Sequence, residues 1–121
     1  MKHKTIRQHR DFITPRDALK MRSECFLLKI KERSIPNETR YGLVASKKVF
    51  TTAVARNRAK RVMRAWLTEC EDLMNLEMDY IFILNTNILD YPKDLGLRDT
   101  RKAFRKIACD YCKENEKQSD K

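Results

Sequence analysis

Apolar positions change their spacing several times along this chain, and each change predicts an element. From Glu24 to Lys31 they alternate, with Phe26, Leu28 and Ile30 on one face and Cys25, Leu27 and Lys29 on the other, which is the period of a strand. Alternation resumes from Tyr41 to Ser46, so a second strand is expected to pair with the first as a hairpin across the turn Ser34-Ile35-Pro36-Asn37-Glu38. From about Thr52 to Met74 the spacing lengthens to three and four: Ala55, Ala59, Val62, Met63, Trp66, Cys70, Leu73 and Met74 form the stripe of a long amphipathic helix. Asp79 to Leu84 is apolar without alternation, as in a strand covered on both faces. After the break at Tyr91-Pro92, a last helix is expected from about Asp94 to Glu114, burying Leu97, Phe104, Ile107, Ala108 and Tyr111. Upstream, Thr14-Pro15-Arg16-Asp17 reads as a capped helix start, opening a short first helix through about Met21.

The order α-β-β-α-β-α predicts an α+β fold, a two-layer α/β sandwich. With 121 residues and 41% hydrophobic content, the chain suits a single domain with one core over residues 1–114. Residues 115–121 form a polar tail expected to be disordered. No stretch approaches the roughly 20 apolar residues of a membrane span, and no apolar signal core follows the basic start. A cytoplasmic address is expected. Cys25, Cys70, Cys109 and Cys112 are then free thiols, read as small hydrophobes rather than metal ligands, because Cys109-x-x-Cys112 lacks a second pair.

Charge changes the picture. The net value is +10, and it is unevenly spread: residues 47–68 carry Lys47, Lys48, Arg56, Arg58, Lys60, Arg61 and Arg64 with no acid, whereas residues 69–97 sum to −6. Clustering of this kind implies a polyanionic partner, since neutralised phosphates release counterions. At about 100° per residue, Asn57, Arg58, Lys60, Arg61 and Arg64 fall opposite the apolar stripe of the long helix, with Arg56 on the flank. A merely solvated helix face carries acids four residues from its bases, and here there are none. Guanidinium groups recognise phosphate in bidentate fashion, and Asn57 can both donate to and accept from base edges or 2′-hydroxyls. No Gly-rich phosphate loop, Ser-His-Asp set or acidic metal cluster can be assembled, so no hydrolytic centre, metal site or small-molecule substrate is expected in the protein itself.

These residues resemble a known family. Ala55-Arg56-Asn57-Arg58-Ala59-Lys60-Arg61-Val62-Met63-Arg64 is similar to the "RNR" helix of the bacterial ribonuclease P protein. Ala45-Ser46-Lys47-Lys48-Val49, Arg10-Asp11-Phe12 and Asp79-Tyr80-Ile81-Phe82-Ile83 resemble its other elements in the right order. The resemblance implies a non-catalytic subunit of an endoribonuclease, in which a large RNA binds Mg²⁺ and removes the 5′ leader from precursor tRNA. It implies that Arg56, Asn57, Arg58, Lys60, Arg61 and Arg64 face the catalytic RNA. It also implies that Phe12, Phe26, Ser46, Lys47 and Lys48 meet the leader, in a cleft between the first helix and the sheet. Phe26 has a competing core reading, since it shares a strand face with Leu28 and Ile30. The family fold also implies a left-handed crossover about the long helix, contrary to the general rule. Two departures stand out: Arg16 and Lys29 occupy positions that are often aromatic in the family. The rival function is that of a structural RNA-binding protein in another ribonucleoprotein, such as a ribosome-associated factor.

Overall fold

The computed structural model describes residues 4–6, 12–14, 16, 18–32, 39–74 and 78–119. The expected turn at 34–38, Arg10 and Asp11, Pro15 and Asp17 of the expected helix start, and residues 120–121 lie outside them. Among the described residues, backbone pairing defines five strands: β1 (Lys4–Thr5), β2 (Lys20–Arg22), β3 (Phe26–Glu32), β4 (Arg40–Val44) and β5 (Met78–Leu84). Helix α1 (Ala53–Glu69) connects β4 to β5, and α2 (Lys93–Ser119) follows β5. The mixed α+β class is as expected; the order is not.

The sheet runs β1-β4-β5-β3-β2. The expected hairpin between β3 and β4 is absent, because β5 stands between them, parallel to β4 and antiparallel to β3. Composition explains the placement. Six of the seven β5 residues are buried, and a strand apolar on both faces belongs in the middle of a sheet. The expected first helix is corrected as well: residues 18–19 are irregular and 20–22 are strand. Met21 pairs with Leu28 and rests on the core, while Leu19 accepts a hydrogen bond from the Ile30 amide at 3.0 Å. Covering the open edge of β3 satisfies more backbone than a single helical turn would.

Side chains of β3 and β5 alternate between two faces. Phe26, Leu28, Ile30, Tyr80, Phe82 and Leu84 meet Met63, Trp66 and Leu67 of α1 and Phe104 and Ile107 of α2 in one core. Edge-to-face ring contacts link Phe26 to Phe82 and Phe82 to Phe104, with centroids 5.5 and 5.8 Å apart. The helices approach closely at Gly96, where any Cβ would collide with the Trp66 ring. Helix α1 is capped by Thr52, whose Oγ1 accepts from the Ala55 amide at 3.1 Å. It ends earlier than expected, at Glu69, and a 3₁₀ turn over Glu71–Leu73 carries the chain away. Helix α2 runs past the expected end at Glu114, to Ser119.

On the other face of the sheet, Arg40 and Asp79 stand side by side in β4 and β5. The guanidinium donates from Nε to Oδ1 at 3.2 Å and from Nη2 to Oδ2 at 2.9 Å, and both groups are buried. The expectation that all four cysteines are buried holds for Cys25 and Cys70 only, as Cys109 and Cys112 are exposed on α2.

Candidate nucleic-acid interface

Helix α1 sorts its side chains as the periodicity predicts. Ala59, Met63, Trp66 and Leu67 are buried, while Asn57, Arg58, Arg61 and Arg64 are exposed and Lys60 is half-buried. Among the described residues, none of Arg58, Lys60, Arg61 and Arg64 forms an ion pair with a carboxylate. The first turn holds no acid either. Cations near a helix amino end oppose the macrodipole, and unpaired like charges at this spacing repel, so the arrangement costs stability and suits an external anion. Arg56 behaves differently. Its Nη1 donates to the Phe50 carbonyl at 2.9 Å, bracing the turn that precedes the helix.

The face of the sheet opposite the helices forms the second part. Gly42, Ile81 and Lys29 lie in register across β4, β5 and β3, and Lys20 of β2 continues the row. The Phe12 ring lies against Gly42 so closely that a Cβ there would overlap it. Above this floor opens a cleft of about 600 Å³, lined by Phe12, Lys29, Val44, Ile83 and, from α1, Lys60 and Arg64. Lys20 and Lys29 face one another directly across strands, a pairing that is unfavourable unless an anion lies between or above them.

Several sequence-derived assignments shift accordingly. Phe12 reaches the cleft; Phe26 does not, being 1% exposed inside the core, where no base can stack on it. Ser46, Lys47 and Lys48 are exposed just beyond β4 and do not line the cleft. The Ser46 hydroxyl accepts from the Val49 amide at 3.3 Å, shaping that turn. Lys60 and Arg64, assigned to the helix face, reach the cleft rim and so join the two surfaces. Lys29, which lines the cleft, is not among the sequence-derived candidates, although the alternation of β3 already places it opposite the core face.

The shifted ionisations lie elsewhere. Burial, helped by the charges of Asp99 and Glu24, pushes the Cys25 thiol up to about 12. A hydrogen bond to Asp99 at 2.6 Å, followed by burial, raises the Tyr91 hydroxyl to about 12. Among the described residues no group of three or more His, Cys, Asp or Glu could hold a metal ion, and no helix is long and apolar enough to cross a membrane.

Comparison with known proteins identifies the family. The family model described as Ribonuclease P matches residues 1–108. The chain belongs to the ribonuclease P protein family. The ribonuclease P protein component of Lactobacillus delbrueckii subsp. bulgaricus is 32% identical over 97 residues, covering 79% of this chain and 77% of that one. That of Lactobacillus gasseri is 40% identical over 63 residues, and the match spans 52% of this chain and about half, 48%, of the relative. Among solved structures, the Staphylococcus aureus RNase P protein superposes with a TM-score of 0.69 at 21% identity, over 86% of this chain and 94% of that one. The Thermotoga maritima RNase P protein gives 0.60 at 17%, over 74% and 84%. At these identities the structural likeness establishes the fold, and the residue roles rest on the geometry of this chain.

Proposed function

We propose that this chain is the protein subunit of a ribonuclease P holoenzyme, assisting endonucleolytic removal of the 5′ leader from precursor tRNA in the cytoplasm. The exposed face of α1 binds the catalytic RNA through Asn57, Arg58, Arg61 and the outer sides of Lys60 and Arg64. The leader lies in the cleft, where Phe12 offers a ring for stacking and Lys29, Lys60 and Arg64 neutralise phosphates. An apolar floor with one aromatic and several cations suits a single strand of any sequence, because every base has a π-face and every nucleotide a phosphate. The chemistry is assigned to the RNA, where bound Mg²⁺ would supply an activated water. What the protein supplies is a lower repulsion where two polyanions meet, and a fixed path for the leader.

The observation that carries this reading is the pair Lys60 and Arg64, which belong at once to the basic helix face and to the cleft. The test is reconstitution with a ribonuclease P RNA and a leader-bearing tRNA precursor at low Mg²⁺. Cleavage is expected to rise on adding the protein, and to rise less when the leader is shortened to a single nucleotide. Cleavage that is the same with and without protein is what an RNA-binding protein of another ribonucleoprotein would give, and would overturn the proposal.

A further inference from the structure

The outer face of α2 carries charge that the interface above does not use. Arg98, Arg101, Lys102, Arg105, Lys106 and Lys113 line one continuous shallow groove along the helix, shared with only one acid, Asp110. Asp99, the other acid of this stretch, is occupied by the Tyr91 hydroxyl at 2.6 Å and lies within 3.4 Å of Arg98. The pairs Arg98/Lys102, Lys102/Lys106 and Arg101/Arg105 are each four residues apart, and like charges at that spacing destabilise a helix. Arg101 and Arg105 act on the Cys70 thiol against the upward push it receives from burial, but that neutral thiol gives them no counter-charge. Lys102, Lys106 and Lys113 are exposed, and among the described residues none of them forms an ion pair with a carboxylate, whereas Arg98 shares Asp99 with the Tyr91 hydroxyl.

We infer that this face of α2 is a second RNA-binding surface, which takes the phosphate backbone of a double-helical RNA segment. Two features select a duplex over a single strand. The groove itself is lined by no aromatic residue, in contrast to the cleft with Phe12; Tyr91, which shares an adjoining cavity with Arg98, Lys102 and Lys106, is half-buried and has its hydroxyl tied to Asp99. From Arg98 to Lys113 the helix rises about 22 Å, a length over which a double helix presents on the order of a dozen phosphates. Recognition of this kind reads shape and backbone rather than sequence, as is usual for paired RNA. The inference extends the proposed RNA-binding function to a second helix and adds a separate contact to it.

The test uses the full chain and a blunt RNA duplex of about 20 base pairs, with the α1 face neutralised by R58Q/R61Q so that binding there is weakened. In that background the duplex is expected to bind still, and adding K102Q/K106Q is expected to weaken binding at least tenfold at 0.1 M salt. The salt slope should fall by about 1.4–1.8, since each lost phosphate contact removes about 0.7–0.9. Circular dichroism should match the parent and thermal unfolding should match or slightly exceed it, because both lysines are exposed and their repulsion is relieved. If the R58Q/R61Q chain no longer binds the duplex, or if K102Q/K106Q leaves affinity and slope unchanged, the α2 surface is not an RNA site; in the first case α1 remains the sole one and its assignment stands.

Discussion

Phe12 and Phe26 are both aromatic residues of the amino-terminal third, yet their surroundings give them opposite roles. Phe26 is packed edge-to-face on Phe82 and sealed from solvent, so Phe26→Ala should destabilise the fold by about 3–5 kcal/mol, measured by urea denaturation. Phe12 is half-buried over Gly42 at the mouth of the cleft. Phe12→Ala should cost far less stability, and should weaken binding of a leader oligonucleotide by about 1–3 kcal/mol, the scale of one lost stacking contact. The reverse pattern would place the leader elsewhere. Cys25 makes a prediction of a different kind. Its thiol, held up to about 12 by burial, stays protonated when the same thiol in the unfolded chain ionises near 9. The stability associated with the neutral buried form is therefore complete below about pH 9 and lost as pH rises toward 12. Cys25→Ala should flatten that decline in a denaturation series from pH 8 to 11, and an unchanged slope would contradict it.

At the scale of elements, the cleft-bearing face of the sheet depends on β4 and β5 keeping their register. The buried Arg40–Asp79 pair favours that register, because a slip of the strands would break its two charged hydrogen bonds inside the protein. Removing one partner leaves the other charge buried, so Asp79→Ala should cost about 3–5 kcal/mol. A loss under about 1 kcal/mol in denaturant titration would mean that the pair is not needed to hold the strands. The elements themselves were largely legible in the sequence, since α1, β3, β5 and α2 each announce their period through Met63 and Trp66, Phe26 and Leu28, Ile81 and Phe82, or Phe104 and Ile107. Their neighbours were not. The insertion of β5 between β3 and β4 joins Phe26 to Leu84 and Val44 to Ile83, and periodicity carries no term for pairing across such distances. The short first helix failed for a related reason: Thr14-Pro15 is a sound local start signal, but the open edge of β3 offered Lys20–Arg22 a better set of hydrogen bonds.

For the whole molecule, charge is organised by surface rather than by segment. The acidic stretch after α1 separates two basic regions in sequence, while in space α1 brings Lys60 and Arg64 to the rim of a cleft whose floor holds Lys29. The outward direction of Arg58 and Arg61 followed from helical spacing alone. The double role of Lys60 and Arg64 did not, because it depends on where the far face of the sheet comes to lie. Ribonuclease P family membership and the geometry meet at this helix: a greasy side fixed by Met63, Trp66 and Leu67, and a cationic side with no internal counterion among the described residues. The most direct test is the affinity of the protein for a ribonuclease P RNA across a salt series, comparing wild type with R58A/R61A. The variant should unfold at the same or a slightly higher temperature, bind more weakly at low salt, and show a log–log slope shallower by about 1.4–1.8, two phosphate contacts fewer. Two coincident lines would mean that the exposed face of α1 does not grip RNA.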